Sequence, residues 1–118
     1  MAVASSRVET FVELIRRAAT DLPADIEGAL EAGRKVESAG SLAEKALGTL
    51  LDNVAMAREL SSPICQDTGT PVVWIHHPAG VSTRRLEDDF VEAVRQATAR
   101  NFLRPNAVDT LTGKNTGH

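Results

Sequence analysis

Apolar residues recur at intervals of three and four along most of this chain, the mark of helices that turn one face toward a core. Val8, Phe11, Val12, Ile15 and Ala19 form the first stripe and predict an amphipathic helix over residues 6–19. Ser6-Arg-Val-Glu9 has the spacing of a capping box at its start. Asp21-Leu-Pro-Ala-Asp ends that helix, with Pro23 suited to the first turn of the next. Ile26, Ala29, Leu30 and Gly33 carry the second stripe, and Gly40 stands as its C-cap. Ser41-Leu-Ala-Glu44 repeats the capping-box spacing. Leu47, Leu50, Leu51, Val54 and Leu60 carry a third helix, which Pro63 stops.

Beyond the third helix the period changes. Val72-Val-Trp-Ile75 is a β-branched and aromatic run that predicts a short strand, and His77-Pro-Ala-Gly80 is a turn. Ser82 or Thr83 caps a fourth helix, with Leu86, Phe90, Ala93, Val94 and Ala97 on its apolar face. From Asn101 onward Pro, Asn, Thr and Gly replace the apolar period, as in a loop or tail. The expected fold is mainly α (α+β): about four helices, one short strand after the loop that holds the cysteine, and that loop at the edge of a core.

Composition narrows the classes. The chain has 118 residues, room for one domain, and is 42% hydrophobic and 25% charged, as in ordinary globular proteins. At this size a compact chain buries roughly two thirds of its unfolded surface. A net charge of −3 and only three Phe, one Trp and no Tyr argue against nucleic-acid binding, which uses basic surfaces and stacking aromatics. No apolar run approaches the roughly 20 residues of a membrane span. No leader is expected, and a single cysteine, which cannot form an internal disulfide, suits a reducing compartment. The expected location is the cytoplasm.

The candidate chemistry is concentrated in two polar stretches. Ser61-Ser-Pro-Ile-Cys-Gln-Asp-Thr-Gly-Thr-Pro71 places the thiol of Cys65, the amide of Gln66 and the carboxylate of Asp67 side by side, with prolines stiffening both flanks. From spacing alone, Cys65 reads equally as nucleophile, soft-metal ligand or structural cysteine. Asp67 before Thr-Gly reads as a turn former or as a carboxylate acting on a polar substrate. The second stretch runs from Leu103 to Gly117. Arg104 in Leu-Arg-Pro-Asn is either a solvated side chain or a fork for a carboxylate. Thr112-Gly-Lys-Asn-Thr-Gly117 lacks the spacing of a phosphate loop. His76 and His77 lie just beyond the expected strand, and adjacent side chains on extended backbone point to opposite faces and would not serve one ion.

Pro63-Ile-Cys-Gln-Asp-Thr-Gly69 resembles the first cysteine motif of the iron–sulfur hydro-lyases, the class I fumarate hydratases and the α-type region of L(+)-tartrate dehydratases. Leu103-Arg-Pro-Asn-Ala-Val-Asp-Thr-Leu-Thr-Gly-Lys-Asn-Thr-Gly117 resembles the second stretch of that region, in the same order. The resemblance covers nearly the whole chain and implies a [4Fe-4S] cluster that dehydrates a hydroxy diacid or hydrates its alkene. It implies Cys65 as the first cluster ligand, Gln66 and Asp67 as substrate contacts with Asp67 supporting proton transfer, and Arg104 as a clamp on a carboxylate. It also implies a dicarboxylate substrate, fumarate or else tartrate, and a homo- or hetero-oligomer. The family's pattern differs at Thr110, where proline is common, at His118, where Asp is common, and above all in using three cysteines. The chain is therefore expected to be the N-terminal part, residues 1–118, of a truncated hydro-lyase α region, inactive alone. The alternatives are a tartrate dehydratase-type α chain or a non-catalytic helical subunit that binds a partner.

Overall fold

The computed structural model describes residues 2–65 and 69–115 and is mainly helical. Four helical segments follow one another: α1 (Ala2–Thr20), α2 (Ala24–Val36), α3 (Leu42–Leu60) and α4 (Thr83–Ala99). They pair off rather than surrounding one core. α1 packs mainly on α4, α2 packs on α3, and α1 touches α3 only lightly.

The α1–α4 seam holds the core. Val12, Ile15, Ala93 and Ala97 are buried together, with Val8, Phe11, Phe90, Val94, Phe102 and Leu103 packed around them. Small alanines on α4 let the larger α1 residues approach, and the rings of Phe11 and Phe90 meet edge to face at 5.5 Å. Two ion pairs flank the seam: Arg7 with Asp89, and Arg100 with Glu9. The first and fourth apolar stripes therefore face each other, a pairing that their spacing does not specify.

The α2–α3 pair is an antiparallel hairpin. Arg34 near the end of α2 reaches Glu44 near the start of α3, while Glu27 in the first turn of α2 meets Arg58 in the last turn of α3. Gly48 is buried beneath the Arg34 guanidinium, where a Cβ would come within 3.3 Å of its Cζ. No residue of α2 is buried.

The caps divide into local successes and failures. Ser41 accepts from the Glu44 N–H at 3.0 Å, and the Glu44 carboxylate accepts from the Gly40 N–H at 3.2 Å. Ser82 likewise accepts from the Arg85 N–H. Ser6, by contrast, lies inside α1 and is not its cap. Ala2 and Ala4 are strong helix formers, and nothing before Ser6 stops the helix from starting earlier. Gly40 is also displaced from its expected role: α2 ends with Glu37 as C-cap, and Gly40 supplies the left-handed residue of the turn into α3, at φ 79°.

The strand expected at Val72–Ile75 is not formed, and no strand exists among the described residues. Trp74 is 83% exposed and Val72 is also exposed. A β-branched run has strand propensity, but a strand requires a paired edge, and none of the described elements offers one. The sole β-type pairing among the described residues is an isolated bridge between Val108 and Asn115.

The chain is also more open than its length predicts. Its accessible surface is 8576 Å², whereas a compact monomer of this mass exposes about 6,200 Å². Its radius of gyration is 18.0 Å, against about 13.5 Å for a compact domain of this length. The apolar faces of α2 and α3 account for much of this, with Ile26, Leu42, Leu50, Met56 and Leu60 all exposed. No helix among the described residues is long and apolar enough to cross a membrane.

Candidate active site

The loop after α3 is built from both helix pairs. α3 ends at Ser61, which takes a left-handed conformation at φ 49°, and the Ser62 N–H donates to the Ala57 carbonyl at 3.0 Å. The chain then crosses to α1, where the Ile64 N–H donates to the Ala19 carbonyl at 3.0 Å. The Ile64 carbonyl accepts from the side-chain amide of Asn53, on α3, at 2.8 Å. Ile64 is thus held on one side by α1 and on the other by α3. Cys65 follows it and is exposed.

Cys65 sits at the wall of a cavity of about 450 Å³. Leu14, Ile15 and Leu22 line it from the α1 side, Pro63, Ile64, Val72 and Val73 from the loop, and Phe90 and Leu103 from the α4 side. Val72 and Val73, from the run that does not form a strand, thus line one wall of this cavity instead. The carboxylate at the cavity is Asp21. The Arg58 guanidinium, at 2.7 Å, holds the Asp21 carboxyl below the usual carboxylate range, and the Leu22 N–H adds to the effect. A carboxylate held ionised in this way is a weak proton acceptor at neutral pH. Asp21 therefore serves as an anchor for Arg58, which also binds Glu27 and ties the α1–α2 junction to α3.

Arg104 is exposed and is not part of the cavity wall, although its neighbour Leu103 is. Its carbonyl accepts from the Asn106 N–H at 2.9 Å. Gln66 and Asp67 lie outside the described residues. Among the described residues the structure therefore brings Cys65 to an apolar cavity and does not join it to Arg104.

The second polar stretch is an ordered loop organised by Asp109, which the sequence reading passed over. Its Oδ1 accepts from the N–H groups of Leu111 and Thr112 and from the Thr112 hydroxyl. The Thr112 N–H and hydroxyl hold its carboxyl below the usual range, with the Leu111 N–H contributing. Gly113, at φ 67°, donates its N–H to the Asp109 carbonyl, and the Asp109 N–H donates to the Lys114 carbonyl. The Asn115 side-chain amide closes the loop onto the Pro105 carbonyl. Asp followed three residues later by Thr-Gly is the local signal for such a turn. Asn53 left no distinct signal, since it follows Asp52 in α3 and reads as one more polar position of that helix.

The chain's single cysteine supplies one soft donor. Thiolate is the right chemistry for an iron–sulfur cluster, but such a cluster takes several. No group of three His, Cys, Asp or Glu able to hold a metal forms among the described residues. The residues present thus fit one ligand position and not a complete set.

Comparison with known proteins gives the same direction. The family profile described as fumarate hydratase (Fumerase) matches residues 8–118. A provisionally named class I fumarate hydratase of Geobacillus stearothermophilus is 41% identical over 109 residues, 92% of this chain and 21% of that protein. A provisionally named L(+)-tartrate dehydratase subunit alpha of Methanocaldococcus jannaschii is 36% identical over 91% of this chain and 38% of that protein. The L(+)-tartrate dehydratase subunit alpha of Escherichia coli K12 is 32% identical over 93% of this chain and 37% of its own length. The chain thus spans between about a fifth and two fifths of these relatives. With both motif stretches inside the matched region, this chain belongs to the fumarate hydratase (Fumerase) family of hydro-lyases.

Proposed function

We infer that this chain is the N-terminal part of a [4Fe-4S]-dependent hydro-lyase that reversibly hydrates fumarate to malate. The observation that carries the reading is Cys65: an exposed thiol on a loop held from two helices, within the region matched by the family profile described as fumarate hydratase. Cys65 would hold one iron of the cluster. When bound, the cluster supplies Lewis acidity to the hydroxyl that leaves or adds.

This chain's own groups would bind and orient the diacid. Arg104, exposed at the head of the Asp109 loop, would grip a substrate carboxylate through its two-pronged donor set. Gln66 would donate an amide hydrogen bond to the substrate. Asp67 would hold or pass the proton that is added to, or removed from, the carbon next to the one bearing the hydroxyl. One thiolate leaves most of the cluster's ligands to be supplied outside residues 1–118, from the remainder of the enzyme or a partner subunit. The 118-residue chain alone is accordingly inactive, and the compartment is the cytoplasm.

A second reading is favoured by the names of two relatives, both tartrate dehydratase alpha subunits. In it the substrate is a hydroxy diacid such as L(+)-tartrate and the completing ligands come from a partner chain.

The test is anaerobic reconstitution with iron and sulfide of a longer hydratase that contains these residues, beside its Cys65→Ser variant. The expected result is a brown, oxygen-labile protein that hydrates fumarate, and a variant that assembles no such cluster. Retention of the cluster by Cys65→Ser would remove the ligand assignment. A panel of fumarate and L(+)-tartrate on the same protein separates the two substrate readings.

A further inference from the structure

The peptide unit between Ile64 and Cys65 is planar, so the Ile64 carbonyl and the Cys65 nitrogen and Cα share one rigid plane. Whatever fixes that carbonyl fixes the plane from which the Cys65 side chain departs, leaving only the rotations of Cys65 itself. The group that fixes it is the amide of Asn53, eleven residues earlier, at 2.8 Å. The other end of Ile64 is held independently, by its N–H to the Ala19 carbonyl. Pro63 restricts the backbone just before it.

We propose that Asn53 is a positioning residue for Cys65: by holding the Ile64 carbonyl to α3 it sets the direction in which the thiol leaves the loop. Asn is a poorer helix former than Ala. It stands in α3 between Leu50, Val54 and Ala57, where an aliphatic residue would suit the helix better. The side-chain amide is the part of Asn53 that reaches across to the loop. The value of this role for the reaction rests on Cys65 being the cluster ligand proposed above; the positioning itself does not.

Cys65 is the single thiol of the chain and is exposed, so it takes a nitroxide spin label specifically on the 118-residue protein without any metal. The Asn53→Ala variant removes the donor while favouring the helix, and Asn53→Gln keeps an amide donor. With helix content checked by circular dichroism, the rotational correlation time of the label, read by electron paramagnetic resonance, should shorten roughly twofold or more in the Ala variant, because the backbone that carries it has lost one hydrogen bond. Asn53→Gln should return it toward that of the parent chain. An Ala variant with native helix content whose label moves as in the parent overturns the proposal. So does a gain in mobility that Gln leaves fully in place, because the effect is then not carried by the amide. If the Ala variant loses helix, Asn53→Asp, equal in size and lacking the donor, is read the same way, and parent-like mobility there overturns the proposal. Failure of the ligand assignment appears elsewhere, as a cluster that survives Cys65→Ser in the longer hydratase.

Discussion

Two truncations separate what burial does from what size does. Val12, on the α1–α4 seam, is 1% exposed, while Leu42, the first residue of α3, is 85% exposed. Val12→Ala removes two carbons from a closed environment, which costs about 1.6 kcal/mol in transfer free energy alone. Its neighbours Ile15, Ala93 and Ala97 sit on helices that cannot collapse freely into the gap, so the residual cavity brings the total to about 2–3 kcal/mol. Leu42→Ala removes three carbons, worth about 2.4 kcal/mol if fully buried. With 85% of the residue already in water, only roughly 0.4 kcal/mol is at stake.

The larger deletion should therefore have the smaller effect. Urea denaturation of the 118-residue chain, followed by circular dichroism, gives both values from the shift in midpoint at constant slope. A Val12→Ala loss below about 0.5 kcal/mol would refute the assignment of the α1–α4 seam as the core. A Leu42→Ala loss above about 1 kcal/mol would show that the start of α3 is covered in solution, and its dependence on protein concentration would identify a second copy as the cover.

Acid should destabilise the chain in a defined window. The Arg16 and Arg17 guanidinium groups hold the Glu13 carboxyl down from 4.5 to about 2, and the Arg100 and Arg58 guanidinium groups likewise lower Glu9 and Asp21. Carboxyls lowered in the folded state stabilise it above their unfolded value and lose that contribution as the pH falls toward the folded one. The melting temperature should thus hold from neutrality to about pH 4.5 and fall toward pH 2; a rise over that interval would contradict these pairings. Thr20 is fully buried and its hydroxyl has no hydrogen-bond partner among the described residues. Thr20→Val keeps the shape, removes the unmet polar group and should raise stability by about 1 kcal/mol in the same urea assay, whereas a comparable loss would reveal a partner for that hydroxyl.

What the sequence made legible was local. Ser41 and Ser82 cap helices because a hydroxyl and an N–H three residues away need nothing else. The stripes on α1 and α4 were legible because each supplies the other's apolar neighbour. What failed depended on distant groups. Val72–Ile75 has the composition of a strand, but pairing needs an edge from elsewhere, and Val72 and Val73 line a cavity instead. The stripes on α2 and α3 are apolar by their spacing, yet spacing does not say what covers them. In the site, Cys65 stood out from its own loop, whereas Asn53 acts across a turn on a carbonyl, a group that every residue carries and that no motif marks.

The character of the cavity bears on where a diacid could be handled. Among the described residues its wall is almost wholly hydrocarbon, and the carboxylate there, Asp21, is held ionised by Arg58. The described lining residues offer a dianionic substrate no cation of their own, and the charge of Asp21 is already matched by Arg58. The cavity is therefore suited to packing against apolar groups, and Cys65 stands where that apolar wall meets solvent. A thiolate in that position can present its sulfur outward while the loop behind it is held from α1 and α3. On the reading proposed here, recognition of the diacid falls to Gln66, Asp67 and Arg104. The 118 residues then contribute a rigid footing for one ligand. The charge that orients the substrate comes from a separate loop, which Asp109 keeps in shape through its bonds to Leu111 and Thr112.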